Sequence, residues 1–432
     1  MTQPVRTSAL GSALARLATI QPQETRAVVA AFCLFFCVMG GYFAVRPVRE
    51  TVGTLLGRER VSDLWVVTWV ASLAIVPLYG AVVTRLRRSV FLPWTYGLVA
   101  VALAIMGLQF GGDKVNVATG QFFYVFISVL NLFLVSMFWS FLLELFEREQ
   151  TKRLFGVIAA GGTAGALVGP FITDISVAHI GNGGVLFLGA GLFAIGILAQ
   201  RVLLGIWHHR AADVQPERPV GGNPFAGFAL VVRSPYLLGI ALFVVLLATV
   251  NTLLYFEQLR LVQAAVSDVA ERTRLFARLD WVVQSLTIGS QLFLTGRIAR
   301  HFGVTALLVM VPIAMVGGFL LLAANGTLAM LIAVFVFRRA SEYAFVRPGR
   351  EMLYSPLDNE TKYKAKNVND VPVYRGADAL AAQVSNGLNS AGFGASATAL
   401  LGAVVAALWG LVGWWLGRRF DTAAARDRQS GT

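Results

Sequence analysis

The sequence predicts an all-α polytopic membrane protein with twelve transmembrane helices in two six-helix halves, and three observations carry that prediction. Of the 432 residues, 56% are apolar and only 14% are charged, against about 25% charge in an ordinary soluble domain. About a dozen runs of roughly 16 to 25 residues are apolar on every side, long enough at 1.5 Å per residue to cross a hydrocarbon core of about 30 Å. Those runs use up most of the chain, so no stretch of ~100 residues is left for an independent soluble domain. A β-barrel is excluded, because its strands would alternate apolar and polar residues with a period of two.

Taken in order, the spans fall near 27–47, 64–84, 90–110, 121–145, 154–174 and 183–206, then 236–256, 281–296, 303–324, 327–346, 372–393 and 396–416. Residues 1–206 form the N-terminal half and 236–432 the C-terminal half. The connector, 207–235, is rich in turn residues and charges, with PERP and GGN inside it. Its second part, FAGFALVV, is apolar enough to lie on the membrane surface. With both termini cytoplasmic, about 26 of the 36 Lys and Arg collect on the cytoplasmic side, as the positive-inside bias requires. The first run is followed by no small-residue cleavage site and reads as a retained span rather than a signal peptide.

The formal charge of +13 is explained by that cytoplasmic bias, and no nucleic-acid partner is implied. Cys33 and Cys37 lie one helical turn apart without another Cys or a nearby His to complete a metal site. The histidines, His179, His208, His209 and His301, are scattered, and no cofactor is expected. There is no HExxH, no nucleophile elbow and no Walker loop, since GGTAGA lacks the Gly-Lys pair, so an enzyme is not expected.

The halves look related to each other. GAVVTRLRR at Gly80–Arg88 follows the second span and GRIARHFG at Gly296–Gly303 follows the eighth, and the two leading glycines are separated by half the chain. Both resemble the loop signature GxxxDRxGRR of the major facilitator superfamily, with Thr84 and Arg300 where that family has Asp. Span five carries GGTAGALVGP, in which Gly161, Gly165, Gly169 and Pro170 are similar to the superfamily's GxxxGP element; glycines so spaced let helix backbones approach closely.

Charges at the ends of spans are the functional candidates, because charge in a membrane is costly. The pattern RPxRE occurs twice, as Arg46, Pro47, Arg49 and Glu50 after span one and as Arg347, Pro348, Arg350 and Glu351 after span ten. In a fold of the resembled kind, spans one, four, seven and ten are equivalent and line the central cavity. Span four ends in Glu144 and Glu147, and span seven in Glu257 and Arg260. The expectation is therefore an outer gate of Arg46, Arg49 and Glu50 with Glu257 and Arg260. An inner gate would use Arg347, Arg350 and Glu351 with Glu144 and Glu147. Guanidinium forks also bind phosphate and carboxylate at two points, which suits an anionic solute. Mid-span Asn131 and Asn251 are further candidates for its binding. Asp174 near the end of span five reads as a solvated residue, and as a proton carrier only if buried.

Two longer stretches are more specific. FWSFLLELFEREQTKRLFGVIAAGGTAGALVGP at 138–170 and RPGREMLYSPLDNETKYKAKNVNDVPVYRGADAL at 347–380 resemble the ATP/ADP translocase family of plastids and obligate intracellular bacteria, and still more its relatives in free-living bacteria. The second stretch includes a KxKxK run at Lys362, Lys364 and Lys366, then Asp370 and the pair Arg375–Gly376. The resemblance implies a major facilitator fold in the bacterial inner membrane, acting as a monomer among lipids on a small anionic solute, a nucleotide being the candidate it suggests. It implies binding by a basic residue in span one, matched here by Arg49, by acids in spans four and seven, and by a basic residue in span eleven. The span-four position falls near Ile127, with no acid there. Glu257 matches the span-seven acid with a small shift, and Arg375 lies a few residues from the basic position, where Asp378 intrudes. The runner-up expectation is a proton-coupled facilitator for an unrelated solute such as a drug, siderophore or amino acid derivative.

Overall fold

The computed structural model describes residues 20–85, 88–110, 116–207 and 226–430. Among them every regular element is helical: α1 (Thr25–Leu56), α2 (Arg58–Arg85), α3 (Arg88–Phe110), α4 (Val117–Leu145), α5 (Arg148–Trp207), α6 (Ala226–Arg233), α7 (Pro235–Ala265), α8 (Val269–Ser290), α9 (Gly296–Ala324), α10 (Leu328–Ser341), α11 (Arg347–Met352), α12 (Asn359–Val368), α13 (Tyr374–Ser390) and α14 (Ala395–Ser430). π-helical turns at Gln291–Thr295, Glu342–Val346 and Asn369–Val373 join α8 to α9, α10 to α11 and α12 to α13. Seven helical runs in the described residues are long and apolar enough to cross a membrane.

Local chemistry sets the ends of these helices. Asn116, Ser234, Asp268, Thr327 and Asp358 each accept a backbone N–H of the first turn that follows, at 2.9, 3.4, 2.8, 3.4 and 2.9 Å, which satisfies donors that have no partner inside the helix. The long α5 is broken at Gly181 (φ 64°, ψ 179°) and α9 at Gly303 (φ 73°, ψ −178°). Only glycine occupies that backbone region without strain, so each break is written in the sequence by its residue. α3 shows why these helices suit lipid. Trp94, Leu98, Val101, Ile105 and Leu108 form one exposed face, with Leu108 73% exposed, while Tyr96, Val99, Leu103 and Met106 on the other face are buried. A helix apolar on its exposed face as well as its packed one is stable only in an apolar medium.

Several helices extend beyond the spans read from hydropathy, α8 among them. α8 starts at Val269, twelve residues before the expected span, because Asp268 caps it and its first turns carry Arg272, Arg274, Arg278 and Asp280, charges that hide a helix from an apolarity search. α12 likewise makes the Lys-rich segment helical from Asp358 onward. The first part of the connector, 208–225, lies outside the described residues, as do residues 86 and 87 of the Gly80–Arg88 signature; the second part forms α6, and the backbone of Lys364 and the side chain of Val368 lie against Gly227.

The described residues cluster into two compact units, one within Met1–Arg49, Pro77–Pro219 and Thr273–Trp281, the other within Glu50–Val76, Val220–Arg272 and Val282–Thr432. In the first, α5 packs on α1 through the expected glycines. A Cβ at Gly161 would meet the Phe32 carbonyl at 2.5 Å, and Cβ atoms at Gly165 and Gly169 would overlap the carbonyls of Phe36 and Gly40. Thr173 adds a hydrogen bond from its hydroxyl to Ala44 O at 2.9 Å, and Phe35 stacks on Phe138 at 4.0 Å. In the second unit α7, α9 and α14 surround the fully buried Trp409, whose ring lies 5.6 Å from that of Phe243.

Candidate functional site

Within the first unit, Arg46 and Arg49 of α1 are held by different means. Arg46 pairs with Asp280 of α8 at 3.5 Å and lies over the Phe43 ring at 5.8 Å. Arg49, one turn on, donates to Ser128 Oγ of α4 at 3.1 Å and sits over the Tyr124 ring at 5.2 Å. Ser128 in turn donates to Tyr124 O at 2.7 Å, so one face of α4 presents an oxygen acceptor and an aromatic ring to the same guanidinium.

Asp174 corrects a sequence expectation: it is buried, not solvated. Its carboxylate accepts from Arg274 Nε at 3.3 Å, Arg278 Nε at 3.3 Å, Arg278 Nη2 at 3.1 Å and Trp281 Nε1 at 3.0 Å. A hydropathy run ending at the GlyPro of span five carries no trace of this, because every partner lies on α8, a hundred residues further along.

In the second unit three helices bring polar groups together. On α10 and its π turn, Arg338, 3% exposed at its side chain, pairs with Glu342 at 2.5 Å. On α7, Asn251 donates to the Tyr374 hydroxyl at 3.2 Å and Thr252 donates to Asp378 Oδ1 at 3.4 Å. On α13, Arg375 approaches Asp378 at 3.8 Å. The expected residues Asn251 and Arg375 thus meet in one cluster with Asp378, Arg338 and Glu342. Arg338 lies inside an expected span, so the rule that membrane charge marks function would have found it.

A second group in this unit lies at the α11–α12 corner. Arg350, buried, pairs with Asp370 at 3.0 Å and is 4.0 Å from Glu351, which pairs with Lys366 at 2.5 Å. Burial pushes the Asp370 carboxyl above the usual range, with Arg350 and Lys366 pulling the other way. Asn369 donates to the Tyr354 hydroxyl at 2.9 Å, whose pKa burial pushes up to about 12 although that hydrogen bond opposes it. Arg347 is exposed.

The other expected residues are placed as follows. Glu257 and Arg260 bond to each other along α7, Arg260 Nε to Glu257 Oε2 at 3.0 Å and Nη2 to Oε1 at 2.5 Å. Glu50 is buried, Glu144 half-buried, and Glu147 and Asn131 exposed; the Glu147 N–H bonds Gln150 at 3.1 Å. Arg58 was missed by the sequence reading. It donates to Ser385 O at 3.1 Å and Oγ at 2.6 Å and lies over the Phe256 ring at 5.2 Å.

No family model matches the chain. It is 22% identical over 443 residues to the ADP,ATP carrier protein 1 of Chlamydia muridarum, covering 85% of this chain and 83% of that one. Its similarity to the Chlamydia trachomatis protein of the same name is 23% over the same shares. Among solved structures it matches the nucleoside transporter NupG with a TM-score of 0.63 at 14% identity, over 92% of this chain and 99% of that one. It also matches a bacterial homologue of the lysosomal transporter Spinster with a TM-score of 0.58 at 14% identity, over 93% and 98%. The protein is a polytopic membrane transporter with the major facilitator fold. Within that class it is similar in sequence to the ADP,ATP carrier proteins, and these relatives and neighbours are transporters rather than enzymes.

Proposed function

We propose that the chain is a secondary transporter of the bacterial inner membrane, with both termini cytoplasmic, that moves an anionic metabolite by alternating access, acting as a monomer built from the halves 1–206 and 236–432. The observation that supports this best is the set of intramembrane arginines engaged with protein groups: Arg46 on Asp280, Arg49 on Ser128 and Tyr124, and Arg375 near Asp378. Arginines that merely snorkel to the interface would not need such partners. A guanidinium fork such as that of Arg49 binds phosphate or carboxylate oxygens at two points. The names of the Chlamydia relatives make a nucleotide the leading candidate solute. Arg46, Arg49, Glu50, Glu257 and Arg260 are the residues proposed for an outer gate, and Arg347, Arg350, Glu351, Glu144 and Glu147 for an inner one. Asn131, Asn251 and Arg375 complete the proposed solute contacts.

The test is uptake of labelled ATP and ADP into liposomes that contain the purified protein and are preloaded with ATP, measured against empty liposomes and the Arg49→Ala variant. Preload-dependent uptake that is lost in the variant is the expected result. Absence of uptake in every case rejects a nucleotide, and a thermal-shift screen of phosphorylated metabolites then decides whether any anion binds.

A further inference from the structure

Among the described residues, two carboxylates inside the spans are clamped by nearby donors. Glu342 is held by Arg338 at 2.5 Å, and Asp174 accepts four N–H donors between 3.0 and 3.3 Å. Asp378 differs: it is 5% exposed, and among the described residues it accepts a hydrogen bond from the Thr252 hydroxyl at 3.4 Å and pairs with Arg375, a neighbour on its own helix, at 3.8 Å. Both contacts are long for charge-assisted bonds. A buried carboxylate with such thin compensation carries a larger unmet desolvation cost than one that is clamped by charged donors.

Among the described residues few groups surround Asp378. Tyr374 and Arg375 precede it on α13; Thr252 and Asn251 face it from α7, where Glu257 and Arg260 lie more than a turn beyond; Arg338 and Glu342 act on it from α10 and its π turn. From α2, Arg58 and Asp63 reach α13 only at Ser385 and Gln383, further along the helix. Arg338 and Glu342 cancel each other, and so do Arg375 and an ionised Asp378. The cluster is therefore neutral when Asp378 is ionised and carries one positive charge when Asp378 is protonated. That charge sits on Arg375, whose side chain is 22% exposed and so open to a ligand.

We propose that Asp378 binds a transported proton and that its protonation frees Arg375 to hold an anionic solute, so that proton and anion move together. A proton from water on one side of the membrane adds to an Asp378 carboxylate oxygen and no other bond changes. The anion then compensates the charge on Arg375, and release of the anion and the proton on the other side restores the Arg375–Asp378 pair. Linkage makes the effect reciprocal: an anion bound at Arg375 must raise the proton affinity of Asp378. The anion part rests on the proposed function; the proton part does not.

The experiment is a pH titration of the purified protein followed by infrared difference spectroscopy in the protonated-carboxyl region, for the wild type and for Asp378→Asn, Asp378→Glu and Asp174→Asn. Expected is a titrating carboxyl band that is lost in Asp378→Asn, is shifted in frequency but present in Asp378→Glu, and persists in Asp174→Asn. Added ATP, if it is a solute, moves the titration midpoint to higher pH, and an inward proton gradient then drives ATP accumulation that Asp378→Asn abolishes. The proposal is overturned if the band is the same in Asp378→Asn, or if ATP is taken up but leaves both the midpoint and the pH dependence of uptake unchanged. If ATP is not taken up at all, the nucleotide reading fails, and the titration, which needs no solute, still decides whether Asp378 binds the proton.

Discussion

Substituting Gly165 by alanine tests a close backbone contact between α1 and α5. The added Cβ would overlap the Phe36 carbonyl oxygen and come within 2.8 Å of Gly40 N, both backbone atoms of α1 that cannot turn aside. Relief needs α1 and α5 to move apart by about 1 Å, and overpacking of that kind costs about 1–3 kcal/mol. The same substitution also raises helix propensity by about 1 kcal/mol, which would mask part of the loss if the variant were compared with wild type alone. Gly156 removes the ambiguity: it lies on the same helix with nothing within 4 Å of its Cβ position. Gly156→Ala gains the propensity without the clash, so the difference between the two variants isolates the packing term. Thermal unfolding in detergent, read by tryptophan fluorescence, should place Gly165→Ala below Gly156→Ala by the equivalent of about 1–3 kcal/mol. Equal melting temperatures for the two variants would refute the packing argument and reduce GGTAGALVGP to a composition effect.

Three further outcomes are expected. Asp421 accepts the Val304 and Thr305 N–H groups at 3.3 Å and the Thr305 hydroxyl at 2.6 Å, so Asp421→Ala removes a cap supplied by another helix and should cost about 0.5–2 kcal/mol in thermal unfolding. Glu24 is buried and accepts from Arg153 Nη2 at 2.9 Å and Gln150 Nε2 at 3.2 Å. Burial pushes its carboxyl up, but the Gln21 N–H, Arg153 and Gln150 outweigh it and hold the pKa below the usual range. Its stabilisation is complete above about pH 4.3 and is lost as pH falls through the lower folded value; Glu24→Gln should cost about 1–2 kcal/mol near neutrality, and its melting temperature should converge on that of wild type in acid. Asp174→Asn keeps the shape but removes the charge facing Arg274 and Arg278, which are 39% and 53% exposed. Screening limits the loss to about 1 kcal/mol, and an unchanged melting temperature, with Trp281 emission also unchanged, would show that the cluster contributes nothing.

How far the sequence was legible depended on whether the signal was local. The helical, apolar character of the runs and the close backbone approach at the glycines of GGTAGALVGP are properties of short windows, and both appear in the structure, whereas the partner helix α1 is not written in the window. The start of α8 was not legible in this way, because Arg272, Arg274, Arg278 and Asp280 lower apolarity in the turns that the helix uses for ion pairs. Arg338 was visible as a charge inside an apolar stretch, but the RPxRE repeat drew attention to the end of that stretch instead. Asp378 stood out only as a departure from the resembled family, and its importance comes from what lies opposite it on α7 and α10.

Composition and run length by themselves determined that this chain is helical and lives in a membrane, since in lipid every backbone N–H and C=O must be satisfied within its own segment and helices do that locally. Motif residues such as Gly165 and Gly303 likewise determined where backbones could approach or reverse, because the absence of a side chain is an intrinsic property. Which charges neutralise one another was decided only by tertiary structure: Arg46 with Asp280, Asp174 with Arg278, and Arg350 with Asp370. The cost of a buried charge depends on the distance to its partner, and that distance is fixed by the packing of helices far apart in the chain.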